Sequence, residues 1–264
     1  MVCMCLILFA HQIHSNYRLV LAANRDEQFA RPTQQASFWK DENQSTEILA
    51  GRDLQAGGTW LGVSRSGRFA AVTNIRDPSQ AEKKLKSRGE LTLNFLKHNE
   101  SAKDYAESLA EQFDQFAGYN LLIGDESALY YVNNFENIIT PLEPGYYGLS
   151  NGVLNSAWPK ITNGKIALEQ LIESNAELTT DALINIMTSK VQASDAQLPD
   201  TGIPIELERT LSSMFIENSE RQYGTLCSTA LITDINGETR FSEQNYNNLS
   251  LRTQGHFYEF RTVL

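Results

Sequence analysis

Apolar positions enter this chain as short runs and take on helical spacing only later. Residues 5–9 and 19–23 are apolar stretches parted by the polar His11-Gln12-Ile13-His14-Ser15-Asn16, which predicts an antiparallel hairpin with the histidines in its loop. Residues 58–64 and 69–73 flank Arg65-Ser66-Gly67-Arg68, a second hairpin with glycine in the turn. Between the hairpins, residues 28–56 are polar and carry Pro32, Asp41, Asn43 and Gly51. They read as one long connection, the kind of segment that often carries function in a compact domain.

Helical spacing appears next. Ser87 is placed to cap a helix through Leu91, Phe95 and Leu96. Ser101-Ala102-Lys103-Asp104 opens a second helix, with Tyr105, Leu109, Phe113 and Phe116 along one face. Strands return at 120–123, 128–133, 138–142 and 146–150. A second helical block covers 159–172, 180–191 and 204–215, and strands at 228–233, 239–242 and 257–262 close the chain. The order is strands, helices, strands, helices, strands, with no linker rich in Pro, Gly or Ser and no internal repeat. A single α+β domain over 1–264 uses every element, as a four-layer αββα sandwich of two antiparallel sheets with helices outside.

Composition narrows the partners. The 264 residues carry 32 acidic and 22 basic side chains, a formal net charge of −10, with the two signs interspersed. That balance favours solubility and argues against nucleic acid or an anionic membrane surface as partner. The apolar run over residues 2–10 is too short to span a bilayer, and it has neither a basic residue ahead of it nor a small-x-small cleavage site directly behind. It is expected to be a buried first strand, with no stable membrane insertion. Cys3, Cys5 and Cys227 form no CxxC pair and no second cluster, so neither a disulfide framework nor a zinc site is implied. A reducing, cytoplasmic setting fits, and no catalytic metal or nucleotide is expected.

The candidate chemistry lies at strand ends. Leu21-Ala22-Ala23 runs into Asn24-Arg25-Asp26-Glu27, an amide, a guanidinium and two carboxylates that read as a strand exit beside the strand starting at Cys5. A neighbouring arginine favours a cysteine thiolate. Asn74-Ile75-Arg76-Asp77-Pro78 and Ser150-Asn151-Gly152 follow two further strands. Their asparagines are common turn residues, and they are also fixed dipoles able to steady a developing oxyanion. One chemistry unites these groups: an N-terminal cysteine supplies both a thiol and, through an α-amino group of pKa near ~8, its own base. That chemistry requires Cys5 to be residue one of the mature chain, whereas Met1-Val2-Cys3-Met4 precede it here.

Met4-Cys5-Leu6-Ile7 with Leu21-Ala22-Ala23-Asn24-Arg25-Asp26-Glu27 resembles the NRDE family, also called the transport and Golgi organisation protein 2 family. The likeness continues in order through Arg31-Pro32, Phe38-Trp39, Ile48-Leu49-Ala50-Gly51-Arg52-Asp53 and Gly57-Gly58-Thr59-Trp60-Leu61-Gly62. Thr73-Asn74, Ser87-Arg88-Gly89-Glu90-Leu91, Gly118-Tyr119-Asn120-Leu121, Tyr147-Gly148-Leu149-Ser150-Asn151 and Tyr223-Gly224-Thr225 extend it over nearly the whole chain. The resemblance implies an N-terminal nucleophile hydrolase-like fold. Cys5, Arg25, Asp26, Asn74 and Asn151 would then be the catalytic set, and Asn24, Glu27, Trp60 and Arg76 ligand-binding residues. It also implies intracellular trafficking of haem, or of a related apolar metabolite held as cargo in a cleft at the sheet ends, with His11 and His14 as weak ligands in reach. Cysteine amidohydrolysis of a linear or acylated amide is the alternative, and a metabolite-binding module that has kept the fold without the chemistry is a third reading. Leu226 stands where many relatives carry an arginine, which counts against a complete hydrolase site.

Overall fold

The computed structural model describes residues 4–39, 47–78, 84, 86–174 and 177–262, with Met4 described by its backbone alone. They form two compact units, each discontinuous in sequence. The first gathers residues 1–30, 76–78 and 143–259, and the second 31–75, 79–142 and 260–264.

The second unit is built on an antiparallel sheet in simple sequence order: β3 (Thr33–Trp39), β4 (Ile48–Asp53), β5 (Leu61–Ser64), β6 (Phe69–Asn74), β7 (Tyr119–Gly124), β8 (Leu129–Asn133) and β9 (Ile138–Pro141). Helices α1 (Gly89–Lys97) and α2 (Ala102–Ser108) cover it, burying Leu91, Phe95, Leu96 and Tyr105 against Ile48, Ala70, Leu121 and Val132. Ser101 caps α2 as expected, its Oγ accepting from the Asp104 amide at 3.1 Å. The cap of α1 is Arg88, one residue past the expected serine and without a side-chain bond. β3 and β4 correct the expectation of a single long connection over 28–56. The polar start of β3 hides its alternation, and the apolar run of β4, Ile48-Leu49-Ala50, is only three residues long. Within that stretch, residues 40–46 lie outside the described ones.

In the first unit β1 (Met4–His14) and β2 (Tyr17–Gln28) form a long hairpin closed by Ser15-Asn16. The sheet runs β10 (Gly145–Leu149), β1, β2, β12 (Tyr223–Asp234), β13 (Glu238–Tyr246), β14 (Arg252–Arg261), with β11 (Glu217–Asn218) paired to β12. Two expectations change here. His11 lies within β1 and is buried, not in a loop, and burial together with the nearby Arg18 holds its imidazole pKa below the ordinary value. Asn24–Glu27 lies inside β2 and is buried, not exposed past a strand end.

Helices α3 (Pro159–Glu173) and α4 (Thr180–Ile186) pack on one face of this sheet. Ile161, Leu168, Ile172 and Leu183 meet Leu6, Leu8, Val20 and Ala22 there. α5 (Ile205–Thr210) is shorter than the helix expected over 204–215, and its block of chain packs in a separate small cluster with Leu211, Ile216 and Tyr223. α3 sits on the sheet at glycine distance: a Cβ on Gly164 would lie 2.5 Å from Leu8 Cδ1, and one on Gly148 2.6 Å from Ile161 Cγ2. Overpacking of this kind typically costs about 1–3 kcal/mol. Gly164→Ala is therefore expected to lower the unfolding free energy by that amount, read as a lower urea midpoint at unchanged slope, and a midpoint equal to that of the parent would show α3 free to move away. Among the described residues no helix is long and apolar enough to cross a membrane.

Candidate functional site

The hairpin places the sequence-predicted residues by register. Cys5 lies directly opposite Arg25, and Arg25 directly opposite Cys227 on β12. Directly opposed residues share a face, so thiol, guanidinium and thiol stand in a row. Cys5 and Arg25 are 2 % and 4 % exposed. Burial pushes the Cys227 thiol well above its ordinary value, and the Glu243 carboxylate adds to the effect. Arg25 is met by Glu27, two residues along the same face, at 3.9 Å. A bulge between Thr225 and Cys227 leaves Leu226 without an opposite number on β2.

The exit of β10 reaches the same strand. Ser150 Oγ donates to the Cys5 carbonyl at 2.7 Å and bonds Asn151 Oδ1 at 3.1 Å, while the Asn151 carbonyl accepts from the Arg76 amide at 2.7 Å. Cys5, Arg25, Asp26, Glu27, Asn151, Asn24 and Arg76 are thus all in the first unit. Asn74, the last residue of β6, and Trp60, just ahead of β5, belong to the second. Trp60 is partly buried against that unit's helical core.

Asn24, expected among the ligand-binding residues, has its amide fully engaged. Nδ2 donates to the carbonyls of Met187 and Met214 at 2.9 and 2.8 Å, and Oδ1 accepts from Ser228 Oγ at 2.6 Å. No donor is left for a ligand. The residue ties the segments after α4 and α5 to the centre of the sheet.

On the face of Asn24 and Ala22 lies Asp26, fully buried, its Oδ1 accepting from Thr225 Oγ1 at 2.7 Å. There it meets groups with no prominent sequence signal. Lys160, in the first turn of α3, is 2 % exposed and feels the charges of Arg76, Asp26, Cys5 and Glu208. Arg76 Nη1 donates to Glu208 Oε2 at 2.6 Å with both side chains buried, and the guanidinium lies over the Trp158 ring at 4.5 Å. Thr201 holds the other oxygen of Glu208, through its amide at 3.2 Å and through its hydroxyl. A lysine in the first turn of a helix opposes the macrodipole, and that was the one available clue to Lys160. Glu208 sits among other acidic residues of α5 and gave none.

Burial dominates the titration of this cluster. It raises Asp26 to about 7 against the opposing pull of Lys160, and it lowers Lys160 to about 7 with help from Arg76. Between the ordinary lysine value of 10.5 and about 7 the unfolded chain binds the extra proton, so the Lys160 contribution to stability rises with pH across that window. Between 3.8 and about 7 the folded state holds the extra proton on Asp26, and that contribution falls as pH rises. Lys160→Met is accordingly expected to stabilise most near pH 7 and progressively less toward pH 10 in urea titrations. A gain independent of pH would place Lys160 outside the cluster.

The described residues contain no group of three or more His, Cys, Asp or Glu arranged to hold a metal ion. The site is a buried thiol row on one face of a sheet end with an ion cluster on the other.

Two antiparallel sheets with helices make an α+β fold of the N-terminal nucleophile hydrolase-like kind. A mutant conjugated bile acid hydrolase from Clostridium perfringens superposes with a TM-score of 0.53 at 10 % identity, over 97 % of this chain and 92 % of that one. The particular family is set by sequence: the model of Transport and Golgi organisation 2 matches residues 4–248, and the chain belongs to that family. The Transport and Golgi organization protein 2 homolog of Bos taurus is 36 % identical over 92 % of this chain and 93 % of its own length, and that of Homo sapiens is 35 % identical with the same coverage. The Drosophila melanogaster protein is 25 % identical over 93 % of each.

Proposed function

We propose that this chain binds and carries an apolar metabolite in the cytoplasm, rather than hydrolysing one, with haem as the cargo that the family resemblance points to. The observation that carries the preference for binding is the state of the Cys5 nitrogen. In a chain that keeps Met4 it is a peptide nitrogen within β1, the ladder running from Met4 opposite Asp26. An N-terminal nucleophile needs that nitrogen as a free amine to act as base. The neutral imidazole that burial favours at His11 is the form that ligates iron. The test is titration of the purified protein with haem, followed at the Soret band. A saturable shift that weakens on His11→Ala or Cys5→Ala is expected. Absence of any saturable shift overturns the carrier reading.

The row of Cys5 and Arg25 favours a second reading, amide hydrolysis, in a chain whose Cys5 has become N-terminal. A conjugated bile acid is a suitable probe, since the structural neighbour is named for hydrolysing one. Chains beginning at Met1 and at Cys5 are compared for amine release, with Cys5→Ala as control. Release only from the chain beginning at Cys5 supports this reading, and none from either defeats it.

A further inference from the structure

Arg76 uses one of its nitrogens. Nη1 is spent on Glu208 and the ring face on Trp158, which fixes the guanidinium plane. Among the described residues nothing accepts a hydrogen bond from Nε or Nη2, and nothing accepts one from Lys160 Nζ. These three nitrogens are closed to bulk water, so solvent does not complete them. A buried donor left unmade costs on the order of 1–3 kcal/mol, and two buried cations in one cluster multiply the deficit.

The unused edge has a definite shape. Nε and Nη2 form the edge of the guanidinium with which Arg209 of this chain grips Asp195, Nε to Oδ1 and Nη2 to Oδ2, both at 2.9 Å. Arg31 turns the same edge to Asp53 Oδ2, at 3.1 and 2.6 Å. The acceptor such an edge matches carries two oxygens side by side, as a carboxylate or a phosphate does.

We propose that the Nε/Nη2 edge of Arg76, together with Lys160 Nζ at the start of α3, forms a buried site for the carboxylate of a small ligand. Arg209 and Arg31 both fill this edge with a carboxylate, which sets a carboxylate ahead of a phosphate as the expected occupant. The inference deepens the binding reading by naming the ligand group that enters this unit, and it does not depend on the cargo being haem. Because the nitrogens are screened, entry follows a local opening of the structure, and binding is read at equilibrium.

Hexanoate, hexanol and inorganic phosphate are the probes, measured by thermal shift and calorimetry on the full chain. Hexanoate is expected to raise the melting temperature and bind saturably, with hexanol at equal concentration doing neither. Arg76→Lys keeps the charge but loses the planar edge, and Lys160→Met removes an unpaired buried amine without orphaning a hydrogen-bond partner. Each is expected to weaken hexanoate at least tenfold while remaining folded by circular dichroism. Equal effects of hexanoate and hexanol, equal hexanoate affinity in parent and Lys160→Met, or binding of phosphate in place of hexanoate would each overturn the proposal. Haem titration of the same variants separates the two ideas. Hexanoate binding without haem binding overturns the carrier reading alone, and haem binding without hexanoate binding overturns the carboxylate site alone.

Discussion

Replacing Glu208 with alanine is expected to lower the unfolding free energy by about 3–5 kcal/mol, the range for breaking a buried ion pair by deleting one partner. The loss arises less from the missing attraction than from Arg76, which would keep its charge among Trp158, Lys160 and the exit of β10 with no other counter-ion in hydrogen-bond reach among the described residues. The amide and hydroxyl of Thr201 would lose their acceptor as well. Urea denaturation measures the cost. The double variant Arg76→Met with Glu208→Leu is expected to recover much of it, because a matched apolar pair leaves no charge behind. A single variant as stable as the parent, or a double variant worse than the single, would show that the pair is not the anchor of this cluster.

Asn24→Leu is expected to be comparably damaging. The substitution keeps the branched shape and deletes the side chain that donates to the Met187 and Met214 carbonyls. At about 1–3 kcal/mol for each buried acceptor left unmade, the total is roughly 2–6 kcal/mol. Ser228 retains Tyr246 as a partner at 3.0 Å and adds little to the loss. The segments after α4 and α5 are what Asn24 anchors. Limited proteolysis should therefore cut between residues 187 and 214 faster in the variant than in the parent. A stability loss below about 1 kcal/mol with an unchanged cleavage pattern would return Asn24 to the candidate ligand residues.

Most elements were legible because their patterns are local. Ser101 with Asp104 marks a cap, Leu91, Phe95 and Leu96 mark a helix face, and the runs on either side of Arg65-Ser66-Gly67-Arg68 mark a hairpin. β3 escaped because an edge strand with polar outward residues resembles a loop, and β4 because its apolar run is only three residues long before Gly51. The extent of β1 and β2 was misjudged for a related reason. His11 and Asn24–Glu27 are polar, and polar residues normally end a strand, yet here they are buried inside it with partners that satisfy them.

The family and the α+β class were readable in the sequence, which also singled out Cys5, Arg25, Asp26 and Arg76 as candidates. These follow from ordered motifs and from residue chemistry carried along a continuous stretch. Only the tertiary structure decided what those residues face. Asp26 meets Thr225 from 199 positions away, Arg76 meets Glu208 from 132, and Asn24 reaches across 163 and 190 to Met187 and Met214. Burial and partner choice set whether a carboxyl titrates near 4 or about 7 and whether an amide binds a ligand or holds two segments together. Both depend on which distant segments the fold makes adjacent, and no local periodicity records that.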